Sequence, residues 1–326
     1  MNHLALPSYS NTPSILSTDG WLQWIEMTWG LHPLRVAYSQ PGRSLPRLEG
    51  VLYLNNRGLV RSPPLNPFMP FVFYPTNTSK VDKLSAQWVA VTSLLAEDLA
   101  TRGLVGRFSL PSGMLDGRSL QWKGFNVQIR YTYSDALPLD PSMRDAAVRK
   151  RIRKAMDAGY VAARSDDWAA IMHCLSETET EKGFSHHIGV ESLRLAAELI
   201  GDDSFRGYVV RDPKGTVVSG GVRLHTENGV AYDWIQGTIR EHLKYGVNQL
   251  IYAYVFEDLA NAGAVGFDYG GANIPSVAAA KASWGLPLVP CLTIGAKDLR
   301  FIVRSGQSSG RWMMQRAKRV LLNQSR

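Results

Sequence analysis

The sequence predicts a mixed α/β (mixed α+β) protein of two domains, each a mixed, mostly antiparallel sheet flanked by helices. Three observations predict it. Val81, Leu84, Trp88, Val91, Leu94, Leu95 and Leu99 recur at helical spacing within residues 79–102, which stop at Gly103. Residues 205–239 hold three alternating runs joined by "DPKG" and "ENG", turn sequences that suit an antiparallel meander. From there to residue 295, helical and extended stretches alternate, as layered α/β architectures require. The length of 326 residues fits about two domains of roughly 150 residues each. A boundary near Leu139, at the prolines of "LPLDPS", divides the chain into 1–139 and 140–326.

In chain order, the first third reads as short strands and turns. "EGVLYLNNRG" alternates apolar and polar positions, and "SPPLNPFMPFVFYPTN" is too rich in proline for a helix interior and is expected as a surface loop. After the 79–102 helix, "LVGRFSLP" and "FNVQIRYTYSD" are strands bracketing the turn "SGMLDGRS". The second domain opens with a basic helix over 142–158, closed by Gly159. A helix with Ser165 as its N-cap follows, then a third in "GVESLRLAAELIG". Beyond the meander come a helix from about Lys244 to Ala262, the strand "AVGFDYGG", a helix containing Lys281, and the strand "LPLVPCLTIG".

Composition bounds the function. Hydrophobic residues make up 45% and charged residues 20%, so the chain can bury a sizeable core. No apolar run approaches the roughly 20 residues of a spanning helix, and "MNHLALPSYSNTPS" lacks the order of a signal peptide, so a cytoplasmic protein is expected. Cys174 and Cys291 are too few for a disulfide framework and lack zinc-ligand spacing; no metal is expected. The net charge of +8 is concentrated in two places. Residues 297–326 hold eight Lys or Arg against one acid, and "RDAAVRKRIRKA" holds six against Asp145. Such segments favour phosphate-bearing partners, or simply keep the protein in solution.

Four stretches carry a family resemblance. "LPSGMLDGRSLQWKGFNVQIRYTY", "RKRIRKAMDAGY", "GFSHHIGVESLRLAAELI" and "FDYGGANIPSVAAAKASWG" follow one another over about residues 110–290. Their order resembles the GNAT N-acyltransferase fold, and their details the FemAB-type branch, in which two GNAT-like domains are fused. The resemblance implies amide formation by transfer of an aminoacyl group from aminoacyl-tRNA to an amine, the acceptor being a peptide, a cell-wall precursor or a small metabolite. It implies no tightly bound cofactor. Two departures bear on the donor. Enzymes of the fold that use coenzyme A cradle its pyrophosphate in a Gly-rich loop at a helix start, whereas "GTIREHLKYGVNQ" sets Gly237 and Gly246 too far apart for a tight anion loop. The helix after Asp268 has no tyrosine to serve as general acid. Acetyl- or acyl-coenzyme A therefore stays the alternative donor, and a non-catalytic RNA- or membrane-binding module the alternative class.

The candidate site residues follow from acyl-transfer chemistry, which needs a neutral amine, an oriented carbonyl and positive charge where the oxyanion develops. Lys281 is the candidate for that charge or for gripping donor phosphate; an ordinary solvated helix lysine is the plainer reading. Asp268, at a strand end where α/β sheets bind ligands, is a candidate to orient an ammonium, or else a turn cap. Gly270 and Gly271 permit close approach or positive φ. Alternation on the last meander strand sends Tyr232 and Trp234 to one face and Asp233 to the other, toward polar space. Asp233 joins the catalytic candidates; Tyr232, Trp234, Tyr269, Gly270, Gly271 and Phe184 are candidates for substrate binding. His187 is a candidate proton shuttle. Arg149, Lys150, Arg153 and Lys154 on the basic helix, with Arg316, Lys318 and Arg319 in the tail, are the candidate phosphate or RNA contacts.

Overall fold

The computed structural model describes residues 14–39 and 46–296. Arg316, Lys318 and Arg319, with the rest of the basic tail, lie outside the described residues.

The first α-helix of the described residues is α1 (Asp19–Trp29), in a stretch that sequence reading took as strands and turns. Thr18 caps its N-terminus by accepting from the Trp21 amide, and Gly30, at φ +61°, ends it. Trp21, Leu22, Trp24 and Ile25 form its buried stripe. Strands β1 (His32–Ser39), β2 (Arg47–Leu54), β3 (Val60–Arg61) and β4 (Phe71–Tyr74), helix α2 (Val81–Arg102) and strand β5 (Leu104–Val105) complete the first layer. Their sheet runs β1-β2-β3-β5, with β4 also on β2. The proline-rich stretch is no surface loop. Phe68, Met69, Phe71 and Phe73 are buried in the core, because β4 adds to β2 between the prolines instead of crossing them.

The remaining elements form a second layer. They are β6 (Arg107–Ser109), α3 (Arg118–Trp122), β7 (Asn126–Ala136), α4 (Ala146–Asp157), β8 (Val161–Arg164), α5 (Trp168–Lys182), α6 (Val190–Ile200), β9 (Phe205–Arg211), β10 (Val217–Leu224), β11 (Val230–Thr238), α7 (Val247–Asn261), β12 (Gly266–Gly271), α8 (Pro275–Ala282) and β13 (Leu288–Gly295). The eight-stranded sheet has the order β6-β13-β7-β12-β11-β10-β9-β8. The expected division near Leu139 does not coincide with the sheets, because β6 and β7 precede it yet belong to the second one. Strand β7 pairs with both β12 and β13, so it cannot leave that sheet without opening two ladders. The expected Ser165 cap is also displaced: Asp167 caps α5 by accepting from the Ala170 amide, and Ser165, two residues earlier, accepts from the Asp167 amide.

One core lies between the layers. Trp234 of β11 packs on Trp21 and Trp24 at ring-centroid distances of 5.8 and 5.5 Å, and on Phe205 at 5.4 Å. Each indole also finds an acceptor: Trp234 donates to the Leu65 carbonyl, Trp21 to Asn66 and Trp24 to the Ser192 carbonyl. A second core on the far face of the large sheet packs α4 and α7 through Val148, Ala155, Val247, Ile251 and Val255.

Trp24 is fully buried in this joint, so Trp24→Ala is expected to cost about 3–5 kcal/mol in urea unfolding. A loss below about 1 kcal/mol would mean that the two layers are not joined through it.

Candidate active site

The site is built where two parallel strands part. Strands β11 and β12 pair only at Val230–Gly266, Ala231–Phe267 and Tyr232–Asp268. Beyond these, β11 continues on β10 to Thr238, and β12 shifts register against β7 to reach the Gly271–Thr132 pair. A gap opens with Asp233 on one side and Tyr269 and Gly270 on the other.

Each side of the gap carries its own cleft. Between the layers, a cleft of about 420 Å³ is lined by Asp268, Asp233, Trp234, Gly270, Gly271 and residues of the first layer such as Phe68. On the α7 face, a cleft of about 370 Å³ is lined by Lys281, Tyr252, Tyr269, Gln236 and Thr238. The two meet where Lys281 Nζ lies 4.0 Å from Asp233 Oδ2.

Asp268 Oδ1 accepts from Thr132 Oγ1 at 2.5 Å and from the Gly270 amide at 2.8 Å. Both donors use the same oxygen. Burial raises the pKa of this carboxyl above the usual range, and Asp233 adds to the rise; Thr132, Gly270 and the Lys281 charge oppose it. Gly270 has φ +69°, which lets the chain turn so that its amide points back at Asp268.

Asp233 is held from the opposite face. Tyr252 of α7 donates to its Oδ2 at 2.9 Å, and Arg223 Nε of β10 lies 3.0 Å from its Oδ1. Arg223 has no exposed surface. Its other nitrogens donate to the Val222 and Ile235 carbonyls, each at 3.0 Å, and to Gln236 at 2.7 Å, and its guanidinium lies 4.8 Å from the Tyr252 ring centre. Gly221 makes room for it: a methyl group there would stand 2.7 Å from Arg223 Nη1. Lys281 of α8 donates to the carbonyls of Tyr269 and Gly270 and lies 4.8 Å from the Tyr269 ring centre. It is no solvated helix lysine, having 15% side-chain exposure. Burial lowers its pKa, against the pull of Asp233 and Asp268.

The structure thus brings Lys281, Asp268, Asp233, Tyr269, Gly270 and Gly271 together. Alternation along β11 holds: Tyr232 and Trp234 face the first layer, where Tyr232 meets Phe68 and Trp234 joins the tryptophan cluster. Trp234 lines the interlayer cleft while serving as an anchor of the core. His187 and Phe184 are not brought to the gap. Both are exposed in the loop between α5 and α6, where the Phe184 and His186 rings meet edge to face. His186 bonds Glu179 at 2.6 Å, which accounts for the loop without a catalytic role. Arg149, Lys150, Arg153 and Lys154 are exposed on α4, away from the gap; Lys154 donates to the Lys244 carbonyl in the turn leading into α7. Gly246, at the start of α7, would carry a methyl group into the Arg151 carbonyl, so its backbone packs on α4. Sequence reading missed Arg223, Tyr252 and Thr132. Arg223 left a signal as a charge within the otherwise uncharged strand "VVSGGVRL", and Thr132 as the centre of the "YTY" that ends the first of the four family-like stretches. Among the described residues no group of three or more His, Cys, Asp or Glu is placed to hold a metal.

Comparison with known proteins places the fold. Residues 142–275 match the model of the Acetyltransferase (GNAT) domain. Among solved structures, the fold is similar to that of FemX, at 13% identity and a TM-score of 0.61 over 88% of this chain and 93% of the other. It is also similar to L-PGS from Bacillus licheniformis, at 11% identity and a TM-score of 0.56 over 87% and 91% of the two chains. A third likeness is the C-terminal domain of a putative lysylphosphatidylglycerol synthetase from Agrobacterium fabrum, at 11% identity and 0.57 over 91% and 92%. No curated protein matches the sequence significantly.

Removing one partner of the buried ion pair leaves an unanswered charge, so Arg223→Met is expected to lower the unfolding free energy by about 3–5 kcal/mol, with part recovered in the Arg223→Met/Asp233→Asn double variant. For Asp268 the expected sign is opposite. Its folded pKa is raised, so the stability it contributes is present at low pH and lost as pH rises through that pKa. Asp268→Asn keeps an oxygen for Thr132 and Gly270, so it should gain stability over the native protein as pH rises from 4 to 8. Denaturant melts across that range that move in parallel would contradict the shift.

Proposed function

We propose that this GNAT-fold acyltransferase moves an aminoacyl group from aminoacyl-tRNA to an amine acceptor, forming an amide. The observation that carries the reading is the pair of clefts meeting at the strand gap, one for each substrate, with a carboxylate on one side and a buried lysine on the other. The acceptor enters the interlayer cleft. Asp268, through its free Oδ2, takes the proton from the acceptor ammonium, and burial, by raising its pKa, makes it a stronger base for that proton than an exposed carboxylate. The amine nitrogen then attacks the ester carbonyl carbon. A C–N bond forms, the bond from that carbon to the ribose oxygen breaks, and the ribose oxygen leaves with the proton lost by the nitrogen. Lys281 places its charge against the oxyanion from the other cleft, and Arg223 positions Asp233 beside it.

Two features support tRNA over coenzyme A as donor. The backbone before α7 is covered by α4 at Gly246, which removes the place for a pyrophosphate loop. Lys150 and Arg153 lie exposed on α4, whose Lys154 reaches the turn that carries Leu243 into the lining of the Lys281 cleft. Among the described residues no helix is long and apolar enough to cross a membrane.

The deciding experiment offers labelled bulk aminoacyl-tRNA and labelled acetyl-coenzyme A to the protein with a pool of cell-extract amines. Label should leave tRNA; label leaving only coenzyme A would replace the donor, and binding to tRNA without transfer would make the protein a binding module. With an active donor, Lys281→Met should lower kcat about 10²–10³-fold. The kcat/KM should fall on the acid side at a pH above the usual carboxylate range, as Asp268 protonates, and that limb should vanish in Asp268→Asn. Affinity for tRNA should weaken with salt, with the log–log slope reduced by about 1 for each of Lys150→Gln and Arg153→Gln.

A further inference from the structure

The floor of the interlayer cleft is polar, and strand register fixes which side chains stand on it. Directly opposed residues share a face of a sheet, as do residues two apart along a strand. Arg107 opposes Gly295, Ser109 opposes Thr293 and Cys291 opposes Arg130, with Thr132 two residues beyond. Thr132 in turn bonds Asp268. Arg107, Ser109, Cys291, Arg130, Thr132 and Asp268 therefore form one continuous ledge, and all six line the cleft.

Charge is sorted along the ledge. The carboxylate stands at the inner end beside the strand gap, and the guanidinium groups stand farther out. Neither Arg107 nor Arg130 makes a side-chain hydrogen bond or ion pair among the described residues, whereas neighbouring arginines are answered: Arg118 by Asp116 and Arg102 by Asp98. Cys291 between them adds no charge, since burial pushes its thiol up to about 11. A strand advances roughly 3.4 Å per residue, so Arg130 stands about 7 Å along β7 from the Thr132–Asp268 contact.

We infer that the ligand of the interlayer cleft is an amine that also carries an anionic group, a carboxylate or a phosphate, about 7 Å from the nitrogen. The ammonium sits at Asp268 and the anion at Arg130, with Arg107 beyond it. Calling this ligand the acceptor rests on the acyltransferase reading; its binding does not. Two charges held at both ends fix the direction of the nitrogen lone pair, which a single contact at Asp268 leaves free to rotate.

The test is titration calorimetry of the full chain without donor, using 5-aminopentanoate, 5-aminopentylphosphonate, pentylamine and pentanoate. At least one of the two zwitterions is expected to bind tenfold or more tightly than pentylamine, and the order of the two identifies carboxylate or phosphate. Arg130→Gln should bring the zwitterion to within about twofold of pentylamine while leaving pentylamine unchanged, and Arg107→Gln should weaken the zwitterion less; thermal unfolding confirms that both variants fold. Equal binding of pentylamine and the zwitterions, no saturable binding of any probe, or undiminished zwitterion affinity in Arg130→Gln each overturns the inference. Selective binding with no transfer from either donor would remove the acyltransferase reading and leave the anion site. Transfer that serves pentylamine as well as the zwitterions would remove the anion site alone.

Discussion

A guanidinium sealed inside a sheet has to be answered, and the answer given to Arg223 organises this site. Withdrawing that charge from water costs several kcal/mol unless a carboxylate and enough carbonyls face it. Asp233, the Val222 and Ile235 carbonyls and Gln236 meet the need. Asp233 is thereby fixed at the place where β11 leaves β12, and Tyr252 fixes it from α7. Lys281 then has a partner at 4.0 Å and a reason to be buried. The cleft on the α7 face exists because these groups hold the strands apart with polar atoms instead of closing them with apolar ones.

Much of the fold was legible because it follows local rules. The meander, the 81–102 helix and the small-residue helix with Lys281 fall where period, turn and cap residues put them. Helix α1 escaped because its aromatic stripe is short, and the segment around Phe71 because prolines disguise a strand whose pairing partner lies some 20 residues upstream. The place of β7 in the second sheet was illegible for a different reason. Its partners, β12 and β13, lie more than a hundred residues ahead, and nothing local in "NVQIRYTYSD" says which ladder it will join.

The candidate site divides in the same way. Asp268, Gly270 and Lys281 sit in one short stretch, so a reader of the chain meets them together. Arg223, Tyr252 and Thr132 come from three other elements and only converge once the sheet is assembled. His187 shows the reverse case: a residue of suitable chemistry beside a matching motif, held in an exposed loop and not brought to the gap. Residue type states what a side chain can do, while the strand gap decides which of them are asked.

The aromatic joint at Trp234 has a further consequence. It welds the first layer to the sheet that carries the gap, yet the first layer supplies one wall of one cleft only. The two clefts are therefore separable: Ser62, Leu65 and Phe68 can change the shape of one while the lysine side keeps its form. A scaffold with that division can reshape one cleft by drift in one layer, without renegotiating the polar arrangement at the strand gap.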